Sequence, residues 1–339
     1  VTGIIGADGR LSCLAVNAAR ALGLPYIEDD LERLEPLLSE SVTTGDAFLD
    51  DVATHLIAAG GKRLRPLLAL VAATGGDRPA RHDDLMGGVA VELVHLASLY
   101  HDDVIDEAVV RRNVESVNSR FGNLVAIVAG DYLLARSAAI AADLGTDIAG
   151  LLATTLGRLC QGQVSEVRAS FQPGRTEQDY FGAIAGKTAA LMATSCRIGA
   201  LTGGATHHEV DAFTAFGQSF GMVFQLRDDV LDVVATDEQL GKPPGQDLAE
   251  GIYTLPVLLA LADPQVGSEL RTLLGQPLAQ PERDKAREIV ASSSGVPRTV
   301  EVARRYVDEA VAAASCLGSP VVGRGLAELA RSLLDDLDA

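Results

Sequence analysis

The chain has 339 residues, 47% of them hydrophobic and 22% charged, with a formal net charge of −18. That size admits one large domain or two smaller ones with ample core, and the composition excludes a chain disordered throughout. The acidity excludes a general nucleic-acid binder, because a phosphate backbone would repel it; any bound anion must be met by local basic clusters or by metal ions.

Residues 1–28 are small and Gly-rich, and read as a loose N-terminal extension. From Asp29 onward the pattern is helical: Leu31, Leu34, Leu37 and Leu38 recur at helical spacing, as do Val52, Leu56 and Ala59. Breaks fall at Gly60-Gly61, Gly75-Gly76, Gln172-Pro173-Gly174, Gly203-Gly204 and residues 240–251. Strand signals are nearly absent, and none of the breaks has the composition of an interdomain linker. The expected fold is all-α, a single-domain bundle of ten or more helices over residues 29–339. Asp131 and Arg136 interrupt the most apolar run, residues 124–140, so no membrane-spanning helix is expected. No basic region precedes an apolar core at the start, so no signal peptide is expected. Cys13, Cys160, Cys196 and Cys316 form no CxxC pair; they read as reduced cysteines of a cytoplasmic protein.

Two acidic clusters stand out. Asp102, Asp103 and Asp106 close an apolar helix, and Asp228, Asp229 and Asp232 repeat the spacing after another apolar stretch. Residues four apart lie one turn from each other on a single helix face, where like charges repel. The negative end of the helix dipole worsens the conflict. A hard cation such as Mg²⁺ removes it, binding carboxylates and bridging to phosphate. One such cluster alone also reads as a solvated helix end; two matched clusters point to a metal site.

The basic residues are grouped too. Lys62, Arg63 and Arg65 follow Gly60-Gly61, as either a solvated loop and helix start or a phosphate cradle. Arg111-Arg112 lies just beyond the first acidic cluster. Gly186-Lys187-Thr188 is not a P-loop, since Phe181 stands where its first glycine belongs and no strand precedes it. Lys187 reads as a rim lysine or a diphosphate contact. The turn-rich run carrying Lys242 and Asp247 reads as a lid or as a surface loop. Glu92 and His95 form an ExxH, the element of a di-iron bundle, but no second ExxH exists to complete it. His95 is then a core histidine or a contact to an anionic group.

With GGKRLRP at 60–66, LVHLASLYHDDVIDEAVVRR at 93–112, Gly162-Gln163, GKT at 186–188, FQLRDDVLD at 224–232 and LGKPPGQDL at 240–248, the chain resembles the trans-isoprenyl diphosphate synthases, or polyprenyl synthetases. The resemblance runs from about residue 30 to the C-terminus. It implies a helical bundle around a central active-site cavity and a usual homodimer. It implies Mg²⁺, three ions per site, bridging Asp102, Asp106 and Asp228 to an allylic diphosphate, with Asp103, Asp229 and Asp232 in support. Arg111, Lys187 and Lys242 would neutralise the leaving diphosphate as an allylic cation forms. Isopentenyl diphosphate would be held by Lys62, Arg65, His95 and Arg112, and Thr188 and Gln225 would line the cation. Transient membrane contact is expected on release of a lipid product, and no nucleic acid is involved.

One departure is visible: Gly251-Ile252-Tyr253-Thr254-Leu255-Pro256 has Ile252 where the family often has a diphosphate-binding lysine. Weaker allylic-diphosphate binding is the expected consequence. Ala97 and Ser98, one turn before Asp102, are small, so no aromatic wall stops a growing chain there; Tyr100 could face either way. A helical turn is about 5.4 Å, roughly one prenyl unit, so a product of roughly thirty to fifty carbons is expected, as for a quinone side chain. A geranylgeranyl diphosphate synthase is the alternative. A class I terpene cyclase or a non-catalytic synthase subunit fits less well, since the basic groups and both aspartate sets are intact.

Overall fold

The computed structural model describes residues 18–20, 22–236 and 244–337. Cys13 and Lys242 lie outside the described residues. The chain divides into two compact units, one formed by residues up to Leu156 with Leu191–Gly217 and Ala313–Leu329, the other by Gly157–Ala190, Gln218–Ala312 and Ala330 onward. Helices dominate both. In chain order they are α1 (Ile27–Glu40), α2 (Ala47–Ala58), α3 (Leu64–Thr74), α4 (His82–Ile105), α5 (Val117–Phe121), α6 (Asn123–Leu144), α7 (Thr146–Ala169), α8 (Glu177–Ile184), α9 (Ala190–Gly203), α10 (His207–Val234), α11 (Gln246–Ala249), α12 (Leu255–Leu261), α13 (Gly267–Leu273), α14 (Gln280–Ser292), α15 (Gly295–Ser315) and α16 (Pro320–Ser332).

In the first unit α4 is the central element, packed along α6, α3 and α1. Its apolar positions Val89, Leu93 and Leu96 are fully buried, as are Leu31, Leu34 and Leu38 of α1. Burial of such side chains stabilises by about 1.5–3 kcal/mol each, which offsets the cost of ordering the helices. Ala18, Ala19, Leu22 and Leu24 are buried as well, so packed structure begins ahead of residue 29. α6 is long and apolar enough to cross a bilayer by length and composition, against the reading of its sequence. Its polar side chains instead tie it into the first unit: Tyr132 donates to Val42 O, Arg136 to Ser41 O and Ser137 to Ala90 O.

A small antiparallel hairpin, β1 (Val110–Arg111) and β2 (Val114–Glu115), pairs Val110 with Glu115 and Arg111 with Val114. No strand was expected here. Arg112 and Asn113 turn the chain with φ of 53° and 62°, a conformation that glycine usually supplies and whose sequence signal is therefore missing.

The second unit has its own core, in which Tyr180, Met222, Leu226, Tyr253, Leu259 and Val290 are buried. The helix entered at Thr176 is opened by a capping box, with Thr176 Oγ1 accepting from Asp179 N and the Asp179 carboxylate from Thr176 N. α8 then loosens into a π-helical turn, Ala185–Ala189, before α9. Such turns insert an extra residue and re-aim side chains, and this one carries Lys187 and Thr188.

Candidate active site

In the first unit, α4 carries the aspartates to its C-terminal end. Asp106 is the C-cap, its N–H bonded to Asp102 O at 2.8 Å. Asp102 is half-buried and Asp106 exposed, while Asp103 points inward and is fully buried. Arg111 of β1 reaches back to it, with Nε and Nη2 each 2.6 Å from Oδ1. Burial raises the Asp103 carboxyl above its ordinary range, and Arg111 opposes that rise. The other oxygen, Oδ2, is buried without a hydrogen-bond partner.

The hairpin aims its second arginine elsewhere. Arg112 Nη1 donates to Leu56 O at 3.1 Å and to Gly60 O. A Cβ at position 61 would stand 2.8 Å from Arg112 Nη1, so any larger residue here would push the guanidinium from this place. Close by in charge, His95 is held well below its ordinary value, by burial first and then by Arg65, Arg112, Arg63 and Arg111. Arg65 is itself pushed down to about 10 by burial, with Glu92 opposing, and its Nε has no partner. Four arginines acting on one histidine make this a strongly positive corner of the unit. Lys62 is exposed at the start of the same segment.

Arg63, between Lys62 and Arg65, has a different task. It adopts φ of 44° and is buried, donating to Glu35 at 2.6 and 3.0 Å and to Glu92 at 2.9 Å. Glu92 is therefore the partner of an arginine, which removes the di-iron alternative. Tyr100 turns away from the aspartate face, its hydroxyl donating to Val52 O at 2.6 Å. Ala97 is fully buried, and Ser98 Oγ folds onto His95 O at 2.8 Å.

In the second unit, the last turns of α10 carry the other cluster. Asp228 is 40% exposed, with Arg227 Nη1 at 3.3 Å. Asp229 is buried between neutral donors: Gln225 Nε2 donates to Oδ1 at 2.8 Å, and the Tyr180 hydroxyl donates to Oδ2. Thr188 Oγ1 donates to Gln225 Oε1 at 2.8 Å, so Thr188, Gln225 and Asp229 form one chain. Burial raises the Asp229 carboxyl strongly, and the charges of Asp228 and Glu166 add to the rise. Asp232 is buried and turned to the backbone, accepting from Gln246 N at 3.3 Å and Asp247 N at 3.2 Å. Lys187 pairs with Glu166 of α7. Gly162 explains its place in the sequence pattern: a Cβ there would stand 2.6 Å from Lys187 N, so α7 and the π turn meet backbone to backbone. Ile252 is half-buried, its N–H on Asp247 O at 2.7 Å.

Tyr180, Glu166, Arg175 and Glu35 were not singled out from the sequence, and Glu92 was read as half of an ExxH, not as the partner of Arg63. Arg63 had a local signal, as the middle cation of a basic run, but nothing in the sequence pointed to its pairing with Glu35 and Glu92.

Among the described residues, no three His, Cys, Asp or Glu side chains form a ready-made metal cage. The aspartates at the two helix ends are oxygen donors, and a hard cation of the Mg²⁺ type takes one or two carboxylates and fills its remaining positions with water and phosphate. In the first unit Asp106 is exposed and Asp102 half-buried, and in the second unit Asp228 is half-buried.

Comparison with known proteins agrees with this chemistry. The polyprenyl synthetase family profile matches residues 46–291. A nonaprenyl diphosphate synthase from Mycobacterium tuberculosis is 36% identical over 297 residues, 87% of this chain and 89% of that one. Component 2 of a heptaprenyl diphosphate synthase from Geobacillus stearothermophilus is 39% identical over 293 residues, 84% of this chain and 89% of that one. The crystal structure of a geranylgeranyl pyrophosphate synthase from Corynebacterium glutamicum, complexed with calcium and isoprenyl diphosphate, superposes with a TM-score of 0.80. It is 38% identical and covers 91% of this chain and 96% of its own.

Proposed function

This chain belongs to the polyprenyl synthetase family, and from that premise we propose that it condenses isopentenyl diphosphate with an allylic diphosphate to build a long-chain polyprenyl diphosphate. The observation that carries the reading is the repeated arrangement of the aspartates. In each unit an apolar helix ends on the same motif, with its first aspartate accessible and its middle aspartate held from within.

In this reading Asp102, Asp106 and Asp228 would hold Mg²⁺. The metal supplies charge stabilisation to the departing diphosphate. Asp103 and Asp229 fix the orientation of the helix ends, through Arg111 and through Tyr180 with Gln225. Asp232 fixes the chain that follows by accepting from Gln246 and Asp247. Lys187 leaves Glu166 for the diphosphate, and Lys242 and Arg111 add charge. Lys62, Arg65, His95 and Arg112 bind isopentenyl diphosphate through charge-assisted bonds, with His95 neutral and able to donate one N–H. Thr188 and Gln225 present polar oxygens beside the allylic cation, and apolar walls keep water from quenching it.

Ala97 and Ser98 leave the turn before Asp102 narrow in side-chain bulk, and Tyr100 is committed to Val52 O. That supports a product of roughly thirty to fifty carbons, about one unit per helical turn left open. A quinone side chain is the proposed destination. We place the protein in the cytoplasm, where Cys160 and Cys196 stay free thiols, with transient membrane contact on product release. A second copy of the chain is the proposed partner, seated on the exposed Leu124, Ile127 and Val128 of α6.

The relative called component 2 favours a second reading, in which this chain is the catalytic part of a two-component synthase. One experiment separates the possibilities. The purified chain is incubated with Mg²⁺, labelled isopentenyl diphosphate and farnesyl or geranylgeranyl diphosphate, and the dephosphorylated product is sized. Label in prenols well beyond twenty carbons supports a self-sufficient long-chain synthase. A stop at twenty carbons keeps the chemistry and overturns the product length. No incorporation by the chain alone supports the two-component reading.

A further inference from the structure

Arg175 is a buried cation that the site as described does not use. It follows the Gln172-Pro173-Gly174 break and precedes the cap residue Thr176, and it is only 9% exposed. Its Nη1 donates to Tyr253 O at 3.4 Å, while Nε and Nη2 are buried with no hydrogen-bond partner. A buried charge left half-satisfied costs stability, so its retention points to a functional load.

The surroundings say where that load lies. The guanidinium carbon sits 5.5 Å from the centre of the Tyr180 ring, and Tyr180 is bonded to Asp229. Glu166, Tyr180, Asp229 and Asp179 are the groups that attract it, and Glu166 is also the partner of Lys187. The loop is held in place along one short stretch of chain. Phe171 N donates to Gly251 O at 2.8 Å, and its ring would meet a Cβ at position 251 at 2.5 Å. The contacts to Gly251 and to Tyr253 bracket Ile252, the position that lacks a lysine.

We propose that Arg175 supplies, from the loop between α7 and α8, the positive charge that Ile252 omits, and serves as a positioning residue for the allylic diphosphate at the Lys187–Glu166–Asp229 corner of the second unit. The inference rests on the prenyl-transfer reading. It also revises the expectation drawn from Ile252 alone: the site keeps its cation count, supplied from a different segment.

The test is a charge exchange. Arg175→Met raises the KM for the allylic diphosphate about tenfold, equivalent to about 1.4 kcal/mol, with the KM for isopentenyl diphosphate changed less than twofold. Adding Ile252→Lys to that variant recovers most of the loss. Arg175→Lys loses less than Arg175→Met. Calorimetric binding of inorganic diphosphate with Mg²⁺ follows the same order, which reads the site without turnover. If both KM values move together, or Ile252→Lys restores nothing, Arg175 is structural and the proposal fails. Ile252→Lys alone guards against a misfolded Arg175 variant: it changes the allylic KM less than twofold if Arg175 already supplies the charge, and a tenfold fall overturns the idea. Wild-type protein that neither incorporates label nor binds inorganic diphosphate with Mg²⁺ would count against the prenyl-transfer reading itself, a different outcome from any of these.

Discussion

Asp103 and Asp229 are the middle aspartates of two motifs with the same spacing, and the two units hold them in opposite ways. Burial raises both carboxyls. In the first unit a cation opposes the rise, since Arg111 lies 2.6 Å from Asp103. In the second unit the two direct partners are neutral, Tyr180 and Gln225, and the neighbouring charges of Asp228 and Glu166 push the carboxyl further up. The outer residues differ too. Asp106 is an exposed cap, whereas Asp232 turns back to bind two backbone N–H groups. Equal spacing thus places three carboxylates on equal turns of a helix, but their roles are assigned by what approaches from elsewhere in the chain.

The largest expected effect tests what the two clusters share. Asp102→Ala and Asp228→Ala each reduce label incorporation by about 10²–10³-fold, the usual loss when a charge-stabilising group is removed. Because both side chains are partly exposed, thermal unfolding without Mg²⁺ changes little in either variant. A large fall in Tm for one of them would show that its cluster is structural.

The next effect separates the clusters. Asp103→Asn strips Arg111 of its anion, a charged bond of about 1.5–3 kcal/mol, and lowers Tm. Asp229→Asn removes a carboxylate whose ionisation is disfavoured, keeps partners for Tyr180 and Gln225, and leaves Tm unchanged or higher above neutral pH. The sign follows from linkage. A carboxyl raised in the folded state adds its full stability below its unfolded value near 3.9, and that contribution is progressively lost as pH rises through the folded value. The advantage of Asp229→Asn over wild type therefore grows with pH, as read from Tm at pH 5, 7 and 8.

The helix period made the aspartate faces legible, because positions four apart share a face whatever surrounds them. The all-α fold was legible for the same reason. Asp232 was not, since its partners are backbone groups of Gln246 and Asp247 beyond an intervening loop. Arg175 was hidden because its acceptor is a main-chain carbonyl 78 residues away, which leaves no side-chain pattern to read. Gly60-Gly61 signalled a close approach without naming the visitor, Arg112. The hairpin that delivers both arginines turns on Arg112-Asn113, which carries none of the glycine that marks such turns.

A third prediction uses the opposite sign of the buried surplus in the two units. His95 is held neutral by burial and by four arginines, so its folded value lies below the unfolded one, near 6.5. Its contribution is present above pH 6.5 and is lost as pH falls, by up to about 1.4 kcal/mol per pH unit. Unfolding free energy measured from pH 7 to 5.5 falls more steeply for wild type than for His95→Gln. Equal slopes would mean that His95 takes a proton in the folded protein.

The smallest effect concerns the outer carboxylate of the second cluster. Arg227 lies 3.3 Å from Asp228, in a pair with the aspartate 40% exposed. Water screens such a pair, and holding two side chains in one geometry costs entropy, so its net worth is about 0–1 kcal/mol. Arg227→Ala therefore shifts the unfolding free energy by less than about 0.5 kcal/mol. The same substitution removes a competitor for Asp228, and Mg²⁺ titrated in the presence of inorganic diphosphate binds as tightly as in wild type or slightly tighter. A clear weakening would mean that Arg227 orients Asp228 for the metal. The second cluster would then depend on an arginine as the first does, and the contrast between Arg111 and the neutral partners of Asp229 would narrow to the middle residue alone.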